Sequence, residues 1–254
     1  IYLENDAAAS VIMNGSSQID RNKRDGIGCS WHYIDRFSLE MKEESSIRSN
    51  GRRQISLEAG STKGKAEDKV QIRLSENASV IGGLNEDETY SEIGIAVQSA
   101  CIVRMEGNSR IEQKKGKAMS LSCLGGKGIT QEIDVTMSDQ AKIQVSDDAV
   151  GVLFYNNGYP NSNYRMTMKD SAKIITGDGA AIDFQEEEGN CYLEGQASIQ
   201  STKPYTDQDT VLMTGTLNLE GTASVKGQIY LRNGEKPIIL ESAVAQEVSC
   251  LLYT

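Results

Sequence analysis

One pattern of apolar and small residues recurs eight times along the chain. Each copy has Met or Leu, any three residues, Ala or Ser, any residue, and then Ile or Val. The copies read MNGSSQI, MKEESSI, LSENASV, MEGNSRI, MSDQAKI, MKDSAKI, LEGQASI and LEGTASV. Their first residues, which we call anchors, are 28, 33, 31, 32, 31, 25 and 26 residues apart and are Met13, Met41, Leu74, Met105, Met137, Met168, Leu193 and Leu219. A fixed motif at this spacing is typical of a repeat architecture.

Apolar and polar residues alternate before each anchor. The residues two positions upstream are all apolar: Val11, Leu39, Ile72, Val103, Val135, Met166, Cys191 and Leu217. Four positions upstream, the middle copies have Phe37, Val70, Cys101, Ile133 and Tyr164. This period of two predicts a strand with one buried face that ends at the anchor. The Gly, Glu or Asp at the third motif position predicts a turn, and the following small residue and Ile or Val begin a second strand.

A third strand is predicted about fourteen to sixteen residues after the anchor, with inward residues at Ile55/Leu57, Met119/Leu121, Gly151/Leu153 and Ile182/Phe184. Three short strands per repeat predict an all-β fold, a right-handed single-stranded parallel β-helix (solenoid) of about eight to nine coils of 25–33 residues. The leucine signature of leucine-rich repeats is absent, and hairpin turns do not recur at the spacing of an immunoglobulin-like sandwich or a propeller. We expect a rod on the order of 34 Å long, from strands about 4.8 Å apart.

The two ends of the sequence carry no recognisable cap. Solenoids need capped ends because a bare terminal coil presents unpaired strand edges. The residues from Pro237 onward resemble a further degenerate coil. We therefore expect residues 1–254 to form a single β-helix domain that is a fragment of a longer protein.

Composition and charge agree with a narrow core and exclude two classes of partner. Only 38% of the residues are hydrophobic, as expected for a column about one coil wide. Lys and Arg total 26 against 36 Asp and Glu, a net charge of −10, which argues against nucleic acid as a partner. No apolar run approaches the roughly 18 residues that span a bilayer, so no membrane insertion is expected. The oligomeric state is left open.

The usual catalytic motifs are missing from the sequence. His32 is the one histidine, and no C-x-x-C, HExxH or GxSxG motif occurs. The GGKG run at 125–128 lacks the spacing of a phosphate loop. Five cysteines cannot all pair. Cys101 and Cys191 hold inward positions on non-adjacent coils, so we predict buried free thiols there.

Insertions between strands are the candidate binding segments, because in solenoids they project from one face. Three stand out: GGLNEDETYSE, YNNGYPNSNY and STKPYTDQDT. The second combines flat aromatic rings with amides able to hydrogen-bond a sugar, at Tyr155, Asn156, Asn157, Tyr159, Asn161, Asn163 and Tyr164. The alternative is that its Asn, Gly and Pro residues simply form turns.

The repeats and insertions together resemble the parallel β-helix repeat regions of large bacterial cell-surface proteins and adhesins, over nearly the whole chain. This resemblance implies a non-catalytic, extracellular structural or binding module at the bacterial cell surface, with a glycan or a host or cell-surface protein as partner. A purely mechanical stalk is a further alternative. Fold resemblance alone does not transfer function.

The coil architecture also resembles that of pectate lyases and polygalacturonases, which align carboxylates on one outer face of neighbouring coils as an acid/base pair or a calcium site. This resemblance implies a polysaccharide lyase or glycoside hydrolase acting on an acidic polysaccharide. The matching carboxylates would be Asp147 and Asp178, both ten residues after their anchors, with Asp148, Asp183 and Arg165 nearby. The alternative is that these Asp residues lie in plain turns.

Calcium is the one cofactor that the sequence leaves open. The acidic stretches at 86–92 and 186–188 supply carboxylates, which calcium prefers. They lack the spacing of an EF-hand or of the nonapeptide calcium repeat. Solvated acidic loops are the favoured interpretation, and no metal site or other cofactor is predicted.

Overall fold

The structure is a computed structural model that describes residues 1–3, 8–29, 36–57, 70–82, 92–123, 131–156, 162–202, 211–233 and 236–244. These residues form 23 strands, numbered in chain order, and no helix. Nearly all strand pairs are parallel and join one coil to the next, so the predicted parallel β-helix is confirmed. In the part of the chain that the structure describes, no helix is long and apolar enough to cross a membrane.

The strands stack in three sheets, one strand of each per coil. The first sheet contains the anchors: β2 (Ala8–Met13), β5 (Arg36–Met41), β8 (Val70–Leu74), β11 (Cys101–Met105), β14 (Gln131–Met137), β17 (Ser162–Met168) and the last residues of β19 (Ile182–Leu193) and β21 (Val211–Leu219). The second sheet contains β3 (Gln18–Asp20), β6 (Ser46–Arg48), β9 (Ser79–Gly82), β12 (Arg110–Gln113), β15 (Lys142–Val145), β18 (Lys173–Thr176), β20 (Ser198–Ser201) and the start of β22 (Ser224–Asn233). The third sheet contains β1 (Tyr2–Leu3), β4 (Asp25–Cys29), β7 (Arg53–Leu57), β10 (Ile93–Gln98), β13 (Lys117–Cys123), β16 (Val150–Asn156), the first residues of β19 and β21, and the end of β22.

The eight anchors form one continuous row in the first sheet. Met13 pairs with Met41, Met41 with Leu74, and the same register continues from coil to coil as far as Leu219. Register in a sheet is strongly specified where one face is buried, because a slip of one residue would turn every apolar side chain outward. The repeat read from the sequence is therefore the repeat of the structure.

The core is one column enclosed by the three sheets. Phe37, Leu39 and Met41 on β5 are at most 1% exposed, as the period of two predicts. The Ala or Ser of the motif is fully buried in the second to eighth copies, where it lies between the first and second sheets: Ser45, Ala78, Ser109, Ala141, Ala172, Ala197 and Ala223. Small side chains are needed at this corner because the chain turns directly around them. One cluster of buried side chains runs through the column.

The third position of every motif adopts the left-handed backbone conformation. Its φ lies between 56° and 72° in all eight copies, at Gly15, Glu43, Glu76, Gly107, Asp139, Asp170, Gly195 and Gly221. This conformation ends the strand and turns the chain into the second sheet, as the sequence predicts. Gly adopts it without strain, whereas other residues are disfavoured there.

Two details differ from the sequence interpretation. On β16 the inward residues are Val152 and Phe154, which pair with Met119 and Leu121, so the assignment of Gly151 and Leu153 as inward is wrong by one residue. The turn at 146–149 is one residue longer than its counterpart in the preceding coil, and a shift of one residue exchanges the two faces of a strand.

The second difference is at β23 (Lys236–Val244), which runs antiparallel to β22. This segment therefore does not form the further parallel coil expected from Pro237 onward. Its hydrogen bonds pair it with the last parallel strand of the stack.

Candidate functional site

The outer face of the first sheet is a flat polar surface made of two rows. The row one residue before the anchors contains Ile12, Glu40, Arg73, Arg104, Thr136, Thr167, Tyr192 and Asn218. The row three residues before them contains Ser10, Ser38, Gln71, Ile102, Asp134, Arg165, Asn190 and Thr216. All of these residues except Thr167 are exposed or half-buried. The alternation of apolar and polar residues that places every second side chain in the core therefore places the others on this surface.

A groove of about 270 Å³ crosses this face over β2, β5, β8 and β11. The short side chains of Ser10 and Ser38 form part of its lining, and the Ser38 hydroxyl donates a hydrogen bond of 2.9 Å to that of Ser10. The longer side chains of Arg73 and Arg104 also line it. Sequence reasoning did not single out this groove, because the outward positions become neighbours only when the coils stack.

Charged side chains pair at one edge of the groove. The Arg73 guanidinium donates to the Glu106 carboxylate at 2.7 Å, and this hydrogen bond raises the pKa of Arg73. Lys42 Nζ lies 2.8 Å from Glu40 Oε1. Arg104 is exposed and forms no ion pair with any residue that the structure describes. It is therefore the cation of the groove that a ligand can reach without displacing a partner.

The predicted Tyr/Asn segment is only partly described. Tyr155 is half-buried at the end of β16, where its hydroxyl accepts a 3.4 Å hydrogen bond from the Gln98 amide. Asn163 is exposed on β17. Asn156 belongs to β16, but its side chain lies outside the described set, as do residues Asn157, Tyr159 and Asn161 entirely. The structure therefore places Tyr155 and Asn163 on the outer surface.

Tyr164 belongs to the core, which corrects its assignment as a contact residue. It is 1% exposed and packs edge-to-face on Phe154, with ring centroids 5.8 Å apart. Its ring is therefore not available to stack on a sugar. Its hydroxyl donates a 3.1 Å hydrogen bond to the carbonyl of Tyr155, so it fixes the backbone just before the segment.

The candidate catalytic carboxylates lie on adjacent coils, as expected. The backbone N–H of Asp178 donates to the carbonyl oxygen of Asp147 at 2.6 Å. Asp147 and Asp148 are exposed, and Asp147 has φ 51° in its turn. Asp183 is half-buried on β19 beside Leu153. Burial raises the pKa of its carboxyl group, although this group accepts a 2.8 Å hydrogen bond from the backbone N–H of Gln185. Arg165 lies on the outer face of the first sheet.

The acidic residues Asp139 and Asp170 lie within the turns that follow two of the anchors. The Asp139 carboxylate accepts the N–H of Gly107 at 2.9 Å, and the Asp170 carboxylate accepts the N–H of Asp139 at 3.1 Å. Each of these carboxylates thus satisfies a turn amide of the preceding coil, which is a structural role. Among the described residues, no group of three or more potential metal ligands comes together. The stretch 86–91, the side chains of 186–187 and His32 lie outside that set.

The thiols of Cys101 and Cys191 are free and fully buried, as predicted. Burial raises the pKa of Cys191 to about 12 and that of Cys101 well above its usual value. A thiol is nucleophilic only as the thiolate, so neither cysteine is a candidate nucleophile.

Comparisons of the chain with protein-family models, with curated proteins and with solved structures find no match.

Proposed function

We propose that the chain is a non-catalytic, extracellular structural and binding module of a bacterial surface protein, adhesin-like in its role, that binds glycans on its outer face. The observation that carries the proposal is the exposed pair of rows on the first sheet, held in register by eight buried anchors. Sites built on strands are positioned more precisely than sites on loops.

The chemistry of this surface suits a sugar. Hydroxyls and amides such as Ser38 and Gln71 can exchange hydrogen bonds with sugar hydroxyls, and Ile102 offers an apolar contact for a sugar ring. Two residues of the Tyr/Asn segment add further polar and aromatic groups to the outer surface: Tyr155 on the third sheet, and Asn163 on the first sheet two coils beyond the groove. A shallow open groove fits a chain-like ligand that lies across several coils.

A glycan array followed by calorimetric titration tests the proposal. We expect binding to one or more glycans, and Gln71→Ala to weaken it about fivefold or more, the effect of one lost hydrogen bond. Gln144→Ala is the matched control, because Gln144 is an exposed amide on the second sheet. An array without hits, or equal losses for the two variants, would count against a glycan site on this face.

The Tyr/Asn segment has its own test. Replacing Tyr155 and Tyr159 together by Ala should weaken glycan binding if this segment is a contact surface. Tyr164→Phe is the control that keeps the core ring and removes only the hydroxyl bonded to the Tyr155 carbonyl. Unchanged binding in the Tyr155/Tyr159 variant would remove the segment from the proposal.

A polysaccharide lyase or hydrolase is the second candidate function, favoured by the stacking of Asp147 and Asp178 on adjacent coils. It predicts reducing ends or unsaturated products when the protein is incubated with acidic polysaccharides, with or without calcium, and their loss in Asp147→Asn. A purely mechanical stalk predicts neither binding nor turnover.

A further inference from the structure

Two arginines of the groove are neighbours on adjacent strands. Arg73 on β8 pairs in register with Arg104 on β11, and both point outward. Strands in a sheet lie about 4.8 Å apart, and like charges directly opposite each other are unfavourable. The two arginines are nevertheless adjacent in a chain whose net charge is −10.

The two arginines differ in their partners. Arg73 is held by the Glu106 carboxylate at 2.7 Å. The Arg104 side chain is exposed and makes neither a hydrogen bond nor an ion pair with the described residues. The planar guanidinium of an arginine binds a carboxylate through two parallel hydrogen bonds. The Arg104 guanidinium is therefore available to bind an anionic group of a ligand.

The rest of the groove indicates what carries that anionic group. Ile102 precedes Arg104 on the same outward face and is half-buried, which gives an apolar contact beside the charge. Gln71 lies next to Ile102 in register, and Ser38 lies next to Gln71. Amide, hydroxyl and apolar groups in one row, beside a cation in the neighbouring row, match a sugar ring that carries hydroxyls and a carboxylate.

We propose that this groove binds an acidic oligosaccharide, with Arg104 receiving a sugar carboxylate and Gln71 and Ser38 hydrogen-bonding its hydroxyls. The inference rests on the proposed glycan-binding function and specifies the class of glycan. Because the protein is acidic overall, a polyanion gains little from long-range attraction, so binding depends on this local contact.

The test compares two sugars that differ only in the group at C6, a charged carboxylate in one and a neutral hydroxymethyl group in the other. The probes are a mannuronate tetramer and the same tetramer with its carboxyl groups reduced to hydroxymethyl groups, titrated calorimetrically into the intact chain. We expect the acid to bind about tenfold or more tightly than its reduced form, and its affinity to fall with added salt. Arg104→Gln should remove that difference while leaving the thermal unfolding temperature unchanged.

Arg24→Gln is the matched control. Arg24 is exposed just before β4 of the third sheet, away from the groove, and forms no ion pair with the described residues. Its substitution should leave binding of the acid unchanged. Equal affinity for the two tetramers, or equal losses in the two arginine variants, would overturn the inference. A preference for the acidic tetramer that survives Arg104→Gln would sink only this inference, whereas the absence of any glycan binding would defeat the proposed function itself.

Discussion

Gly189 and Phe184 pack so closely that a methyl group added at Gly189 has no space. Gly189 lies in the first sheet between Tyr164 and Gly215. A Cβ at this position would fall well inside van der Waals contact of three ring carbons of Phe184, the furthest of them, Cζ, at 2.8 Å. Carbon atoms pack favourably at about 3.5–4.0 Å. Substituting Gly189 by Ala therefore requires the Phe184 ring to move.

The Phe184 ring is confined by its neighbours in the core. It is fully buried and is stacked on Phe154 with the ring centroids 4.7 Å apart and an interplanar angle of 14°. Overpacking of this kind costs about 1–3 kcal/mol, and the rigid aromatic stack places Gly189→Ala toward the upper part of that range. For a chain of this size, each kcal/mol lowers the melting temperature by about 2–4 °C, so a cost of about 2–3 kcal/mol should lower it by roughly 4–12 °C.

Thermal and guanidinium unfolding, both followed by circular dichroism, measure the melting temperature and the free energy of unfolding. Gly28→Ala is the control, because the nearest atoms to its added Cβ belong to the Asp25 side chain, at 3.2 Å, and we expect a cost of about 1 kcal/mol or less, below that of Gly189→Ala. In a background of Phe184→Leu, which shortens the obstructing side chain, Gly189→Ala should cost about 1 kcal/mol less than in the parent chain. The packing argument is wrong if Gly189→Ala unfolds at the parental midpoint, or if Phe184→Leu does not reduce its cost.

Three further predictions concern buried polar groups. Ser45 and Ser109 are fully buried, and their hydroxyls have no hydrogen-bond partner among the described residues, whereas five other copies have Ala. Replacing either serine by Ala should therefore stabilise the fold by about 1 kcal/mol in denaturant titrations. Because burial raises the pKa of Asp183, its contribution to stability is present below the ordinary pKa of about 3.9 and is lost as the pH rises through the raised value. Asp183→Asn should therefore be more stable than the parent at about pH 7 and equal to it at about pH 3 in urea midpoints. Cys101 and Cys191 should resist iodoacetamide at about pH 8 in the native protein and react after unfolding, as mapped by mass spectrometry.

Each of these has a contrary outcome. A loss of stability in Ser45→Ala would show that its hydroxyl has a partner in solution. Equal urea midpoints for Asp183→Asn and the parent across the pH range would contradict the effect of burial on that carboxyl. A disulfide between Cys101 and Cys191 would refute the strand register itself, since they lie on non-adjacent coils.

The sequence by itself determined the repeating part of this protein. The period of two assigned inward side chains such as Leu39 and Met166, and the motif placed the turn after every anchor. Both are local properties, because the faces of a strand and the conformation of a turn depend on residues close together in the chain. Since the same pattern recurs eight times, a local assignment also fixed the register of the first sheet.

Only the tertiary structure decided what depends on contacts between coils. One additional residue in the turn at 146–149 put Phe154 rather than Leu153 into the core, and nothing in the sequence shows which face such an addition selects. The sequence placed Tyr164 both at an inward position of its strand and in the Tyr/Asn segment proposed to bind sugar. Its packing on Phe154 shows that it is buried. The juxtaposition of Arg73 and Arg104 arises because stacking brings residues 31 positions apart into register, and a surface of this kind exists only once the coils have assembled.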